Sequence, residues 1–393
     1  MSNGQFYHLT KPSEWATPPK KYSFASLKQI TECPLGWQLQ NSKYDGMDRY
    51  PSRPNPAAVE GSIVHSLLEK LFRSLACHGM PFIGSDAFQK CVSEIDINLT
   101  ISRLIRDHEE RIALNPRGHG FQLRSSIQQL RNKVVQIFRD QYDKIRQNTP
   151  TSIIRYSYNA PKKQTICHVA DNDISALLHK NKVLTELKLE HKTLPFVGII
   201  DFVWLDDENI KISDFKSGSY RYDHREQVLM YTLLLKSHLG YLPKEAFIVY
   251  PDKSERVEID DNIVNKAFFD LSDKIINAKR ELNTVPAKAI LNDNCQYCQV
   301  RQLCDQYWVS LFNDPHQLKK VGVVDIEVEV TGIHSNHGFV GRTIDCDNLK
   351  VVYKTNIAKA LPLFTCGERL RIIGVKRNAD EIEILPWTEV FHT

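Results

Sequence analysis

The sequence has no run approaching ~18 apolar residues, which excludes a membrane-spanning helix. Its polar start, MSNGQFYHLT, lacks the apolar stretch of a secretory signal. G-x-x-x-x-G-K-[ST] occurs nowhere in it, so the chain has no P-loop motor of its own, and any helicase or translocase serving it is a separate chain. Charge of one sign is scarce: a formal net charge of +4 permits a nucleic-acid partner without arguing for one. The nine cysteines are odd in number and scattered, which suits a reducing cytoplasm, where clustered cysteines bind metal more often than they pair. What is present is ordinary: 42% hydrophobic and 25% charged residues over 393 positions, enough for two domains with proper cores.

The most informative stretch is 184–231. Runs at Leu184–Leu189, Phe196–Leu205 and Ile210–Phe215 read as strands, and polar Asp206–Asn209 turns between the last two. Asp201 sits inside the apolar second run, where a carboxylate is costly unless paired or bound to metal. Asp214 ends the third run, and Lys216, two residues on, shares its face. Closing the hairpin brings Asp201 beside them. Two acids and a lysine at a strand end meet the needs of metal-assisted phosphodiester hydrolysis: oxygen ligands hold Mg²⁺ or Mn²⁺, and the lysine orients a water or steadies charge. A buried Asp–Lys ion pair is the plainer alternative. Gln227 and Tyr231 share one face of the helix that follows. Upstream, Glu60–Phe72 is an amphipathic helix with His65 and Glu69 one turn apart.

With Gly-Ile-Ile-Asp201, Asp214-Phe215-Lys216, Gln227-Val-Leu-Met-Tyr231 and Gly61-x-x-x-His65-x-x-x-Glu69 in this order, the chain resembles the RecB-like branch of the PD-(D/E)XK nucleases. The resemblance implies an α/β restriction-endonuclease-like core, a mixed sheet flanked by helices. It implies that His65, Asp201 and Asp214, with the Phe215 carbonyl, hold Mg²⁺ or Mn²⁺. Lys216 then positions the attacking water, Gln227 and Tyr231 support the lysine or the cut strand, and Glu186 serves as a further or second-metal carboxylate. The substrate it implies is DNA, single-stranded or with free ends, in repair, recombination or defence. A nuclease fold that binds DNA or a partner without cutting is the alternative, although every catalytic position holds a competent residue type.

Cys295-x₂-Cys298-x₅-Cys304 is a cluster one ligand short of a tetrahedral site, and Cys33 is the natural fourth. Thiolate-rich sites suit zinc or an iron–sulfur cluster, and spacing alone does not separate them. One cysteine before the His65 helix and three after the core also resembles the iron–sulfur nucleases, AddB and the small CRISPR-associated enzymes among them. That likeness implies a [4Fe–4S] cluster on Cys33, Cys295, Cys298 and Cys304, clasping the two ends of the domain.

The remaining segments carry less chemistry. Residues 1–22 read as a loosely held arm and 23–312 as the nuclease domain. A helical insertion occupies about 80–180, including a helical pattern over Phe121–Gln147 with six basic residues that read first as a solvated face. Residues 153–169 alternate weakly, as a strand pair would. Residues 320–393 alternate in short glycine-punctuated runs, predicting a small all-β barrel or sandwich similar to an OB fold. That segment balances nine Lys/Arg against ten Asp/Glu, so any strand-binding groove there, formed by Phe339, Arg342, Tyr353, Lys354 and Arg371, would work by stacking. A protein-docking or structural role is the alternative.

Overall fold

Alternating apolar residues in two parts of the chain build two separate sheets, one open and mixed, one closed on itself. The computed structural model describes residues 7–147, 174–181, 183–206, 208–314, 321–334, 338–343, 348–353, 364–378 and 381–393. The strand pair expected over 153–169 lies outside them, as do Cys167, Cys346 and Lys354.

Helices come first. Ser23 caps α1 (Phe24–Glu32) reciprocally with Ser26, and Cys33-Pro34 ends it and starts α2 (Pro34–Asn41), since proline is tolerated only in a helix's first turn. Then follow α3 (Pro56–Cys77), α4 (Asp86–Ile95), α5 (Ile97–Ala113), α6 (Ile127–Gln147) and α7 (Ile174–Asn181). The helical pattern from Phe121 starts six residues late as a helix. The Glu60 carboxylate accepts from the Arg124 and Ser125 amides and the Ser125 hydroxyl, which fixes the approach in a turn.

The open sheet runs in the order β1 (Val183–Glu190), β2 (Val197–Asp206), β3 (Asn209–Phe215), β4 (Glu245–Val249), β5 (Ser254–Val257). β1, β2 and β3 pair antiparallel, and β4 lies parallel to β3 after a crossover through α8 (Asp223–Leu239). One face packs on α8 and α9 (Asp261–Leu282); the other buries Phe202, Trp204 and Phe215 against α3 and α6. The sheet is covered on both sides, so β2 and β3 read as nearly continuous apolar runs.

After α10 (Asp305–Phe312), five strands close a ring: β6 (Gly322–Ile333), β7 (Gly338–Thr343), β8 (Asn348–Tyr353), β9 (Arg369–Asn378) and β10 (Glu381–Ile384). β6 pairs with β7 and β9, β7 with β8, β8 with β10 in parallel, and β10 with β9. β11 (Glu389–His392) adds to the other end of β9. This small β-barrel is filled by Val328, Val330, Phe339, Val351, Leu370, Ile372 and Val375.

Two residues of the expected stacking groove are corrected here. Phe339 is 0% exposed and packs on Phe364 inside the barrel, because alternation places it on the inner face. Arg371 is bound to Glu327, Asp305 and the Gln302 carbonyl and lies over Trp308, so its guanidinium is spent on internal contacts. Arg342 stays half-exposed beside Glu329. From Tyr7 onward the N-terminal arm is also tied down rather than loose. Leu9 donates to the His392 carbonyl, Ser13 to Lys43 and Tyr22 to Pro195, and Tyr22 is buried.

Candidate active site

β2 and β3 place their acids through strand register. Phe202 pairs with Ser213, so Asp201 stands across from Asp214 at the end of the hairpin, and its Oδ2 accepts from the Phe215 amide at 2.7 Å. β1 adds Glu186: Thr185 pairs with Phe202 and Leu187 with Ile200, which sets Glu186 across from Asp201. Its φ of +49° is left-handed, a strained conformation for a non-glycine residue inside a strand. α3 supplies His65, whose Nδ1 lies 3.5 Å from Asp201 Oδ1. One ligand atom each from His65, Glu186 and Asp201 falls within 4.8 Å of the others.

Asp214 is 1% exposed. Lys216 Nζ forms an ion pair with its Oδ2 at 2.7 Å, the buried Asp–Lys pair, while Oδ1 has no hydrogen-bond partner among the described residues. Lys216 also donates to Gln227 Oε1 at 2.9 Å, and Gln227 Nε2 donates to the Tyr231 hydroxyl at 2.7 Å. That relay runs along one face of α8, the i, i+4 spacing turning two polar side chains toward β3.

Two glycines let these helices come close enough. A Cβ at Gly198 on β2 would stand 2.7 Å from Leu234 and 3.0 Å from the Tyr231 ring. One at Gly61 would meet Ser217 Oγ at 3.1 Å, pushing α3 and His65 away from the loop beyond Lys216.

The electrostatics match a cation-binding cluster. Burial raises Asp214 to about 7, with Asp201 adding to the effect against Lys216. Burial and the Asp201 charge likewise raise Glu186 to about 7. For His65 burial opposes the charged form, yet Asp201 raises it to about 9. Asp201 is pushed up by burial but held below the usual carboxylate range by His65, Lys216 and the Phe215 amide. Three acids here are served by one lysine and one histidine, and Asp214 carries an unsatisfied oxygen. A divalent cation fits the converging trio of His65, Glu186 and Asp201, and Asp214, outside that trio, offers a further hard oxygen.

The cysteines assemble at the opposite edge of α1 and α2. Cys33 caps α2, and its Sγ accepts from Gly36 N at 3.3 Å and Ile290 N at 3.5 Å; Cys295 Sγ accepts from Asn292 N at 3.3 Å. Gly36 sits between two sulfurs: a Cβ there would lie 3.6 Å from Cys33 Sγ and 3.7 Å from Cys298 Sγ. Cys304 caps α10. A cavity of about 700 Å³ is lined by all four. Burial raises Cys298, and raises Cys304 to about 11.

Of the residues expected from sequence, the four cysteines line one cavity, His65, Glu186 and Asp201 converge, and Asp214 stands outside that trio paired with Lys216. Gly198, present in the motif Gly-Ile-Ile-Asp201, carried no packing role there, and neither did Tyr250, whose hydroxyl lies 2.8 Å from His224 Nδ1 just beyond Lys216. A glycine in an otherwise apolar strand was the available signal for the first; no sequence pattern marks the second.

Comparison with known proteins agrees with this geometry. A 121-residue stretch is 23% identical to the CRISPR-associated exonuclease Cas4 of Francisella tularensis subsp. novicida (strain U112), covering 30% of this chain and 61% of that one. The chain thus spans about three-fifths of the length of the curated relative it matches. The PD-(D/E)XK nuclease superfamily profile matches residues 21–305, which contain the open sheet, the acids, the lysine and all four clustered cysteines. The chain belongs to the PD-(D/E)XK nuclease superfamily.

Proposed function

We propose that the protein is a Mg²⁺- or Mn²⁺-dependent deoxyribonuclease that hydrolyses phosphodiester bonds of single-stranded DNA or DNA ends. The observation that carries this reading is the convergence of His65, Glu186 and Asp201, with the buried Asp214–Lys216 ion pair alongside and the second Asp214 oxygen without a hydrogen bond. His65, Asp201 and Asp214, with the Phe215 carbonyl, would hold the cation, and Glu186 offers a further carboxylate. A bound divalent cation supplies charge neutralisation at the phosphate and a more acidic water. Lys216 orients the attacking water and stabilises charge developing on the phosphate oxygens. Gln227 and Tyr231 keep the lysine extended toward the site. End-labelled single- and double-stranded DNA and RNA, incubated with Mg²⁺ or Mn²⁺, test the reading. Cleavage by the wild type and none by Asp214→Asn is expected; equal cutting by both would sink it, and binding without cutting by both would leave a scaffold.

The same reading extends to two further groups. Cys33, Cys295, Cys298 and Cys304 hold a [4Fe–4S] cluster rather than zinc. A single tetrahedral zinc, with bonds of about 2.3 Å, draws its thiolates to within about 4 Å. Among the described residues, no three of these sulfurs lie within 4.8 Å of one another. The C-terminal barrel is OB-like, a reading supported by its five-strand closure and the parallel β8–β10 pairing. With no motor motif in the chain, a separate helicase or translocase would feed it strands.

A further inference from the structure

We propose that the segment joining β3 to α8, with the turn between β4 and β5, is a stacking platform that grips an unpaired base beside the scissile phosphate. This rests on the nuclease reading and adds to it the residues that select a single strand. Tyr220 and Tyr222 lie four and six residues past Lys216, 46% and 86% exposed. A tyrosine ring turned so far outward does little for the core; Tyr220 lies against Tyr250 on the side of the nuclease site, Tyr222 on the rim of the cysteine cavity, and an exposed π-face is what an unpaired base stacks on.

The platform is fixed to the active site rather than hanging from it. Lys216 N donates to the Val249 carbonyl at 2.8 Å, which ties the start of the segment to the end of β4. The next residue, Tyr250, is buried and lies 6.3 Å from the Tyr220 ring, centroid to centroid. Lys253 then places its Nζ 5.2 Å from the Tyr220 centroid and 5.5 Å from that of Tyr250. It has no carboxylate partner among the described residues, so a cation and a π-face are presented together. Asp223, the first residue of α8, is paired with Lys28 and Arg221, while Asp252 in the β4–β5 turn has no ion-pair partner among the described residues. The surface presents aromatic faces with the Lys253 cation against the Tyr220 ring, an arrangement suited to stacking a base.

Depth sets the choice of strand. Asp214 is 1% exposed, and the side chains of Lys216 and His65 are 17% and 27% exposed, so a phosphate must come inward to be cut. A flexible single strand does this with its bases splayed, and the tyrosines at the lip receive one. A duplex keeps its bases stacked within itself and offers the rings nothing until its end frays.

The test uses full-length wild type, Tyr220→Ala, Tyr222→Ala, Tyr222→Phe and a fluorescein-labelled single strand. Binding is read by anisotropy without divalent metal, and cleavage with Mn²⁺. Each alanine variant should bind on the order of tenfold more weakly and carry the loss in KM rather than kcat, while phenylalanine restores it, because the ring and not the hydroxyl stacks. On wild type, an abasic residue at one strand position should cause the same loss, and in the alanine variants no further loss. Blunt duplex binding should not change. Alanine variants that bind and cut like wild type overturn the platform and leave the nuclease reading intact. Tyrosine-dependent binding without cleavage in Mg²⁺ or Mn²⁺ overturns the nuclease reading alone. The abasic scan needs no variant, so a flat scan overturns the platform even if a substitution unfolds the protein.

Discussion

Asp214 carries the conflict from which the chemistry follows: a carboxylate almost sealed from water and facing a second acid, with one oxygen paired to Lys216 and the other without a hydrogen bond. Replacing it by Asn should abolish cleavage while strand binding survives or tightens, since one source of phosphate repulsion is gone. Lys216→Ala should keep metal affinity but slow the chemical step by about 10²-fold or more, the scale for removing a charge-stabilising donor. Single-turnover rates in Mn²⁺ separate the two effects. The titration behaviour gives a second check. Asp214 and Glu186 are raised to about 7 and His65 to about 9, so the metal-free fold binds more protons than the unfolded chain over roughly pH 4–9. Its stability should therefore fall as pH rises through that window; Asp201, held low, contributes only beneath it. Metal needs the deprotonated groups, so the Tm gained on adding Mn²⁺ should grow from pH 6 to pH 8. A gain that shrinks over that range would contradict this assignment of ligands.

Among the elements, those with internally consistent signals were legible in the sequence. The β2–β3 hairpin appears where two apolar runs flank a polar turn, α8 where the motif sets Gln227 and Tyr231 one turn apart, and the helix break where Cys33-Pro34 places it. β7 and β11 did not: each is short, β7 carries two glycines, and they become strands only because their neighbours complete the ladders. Phe339 was misplaced for the same reason, since the inner face of β7 is defined only once the barrel closes. The platform at Tyr220 and Tyr222 was passed over because two aromatics in a polar loop carry no period. The cysteine clasp tests the element scale directly. Protein purified without oxygen should be brown, with broad absorption near 400 nm from sulfur-to-iron charge transfer. Alanine at any one of Cys33, Cys295, Cys298 or Cys304 should bleach it and lower Tm. Alanine at exposed Cys77 should do neither. A colourless protein with one equivalent of zinc would correct the cofactor and keep the clasp.

At the scale of the whole molecule, the barrel is built into the cysteine region rather than strung behind it. Ile373 and Phe391 from the barrel share one apolar cluster with Leu35, Leu39, Val300 and Trp308. Arg301 pairs with Asp325 across the same seam, and the Tyr307 hydroxyl donates to Asp325 at 2.7 Å. At its centre Arg117 and Glu389, 272 residues apart and each 1% exposed, form two bonds of 2.7 and 2.8 Å. Arg117 also donates to the carbonyls of Pro51 and Gln299, so one guanidinium joins the segment after α5, the stretch before α3, the cysteine loop and β11. No sequence pattern marks either residue, because the pair exists only in the assembled fold. Glu389→Gln should leave a buried, uncompensated cation and cost about 3–5 kcal/mol in denaturant unfolding. Arg117→Met with Glu389→Leu removes both charges and should recover much of that loss, though not all, since the Pro51 and Gln299 carbonyls lose their donor. If the seam is this tight, Glu389→Gln should also weaken the cysteine site, read as faster loss of the 400 nm absorbance in chelator. A single variant that unfolds no more easily than wild type would make the barrel an independent unit.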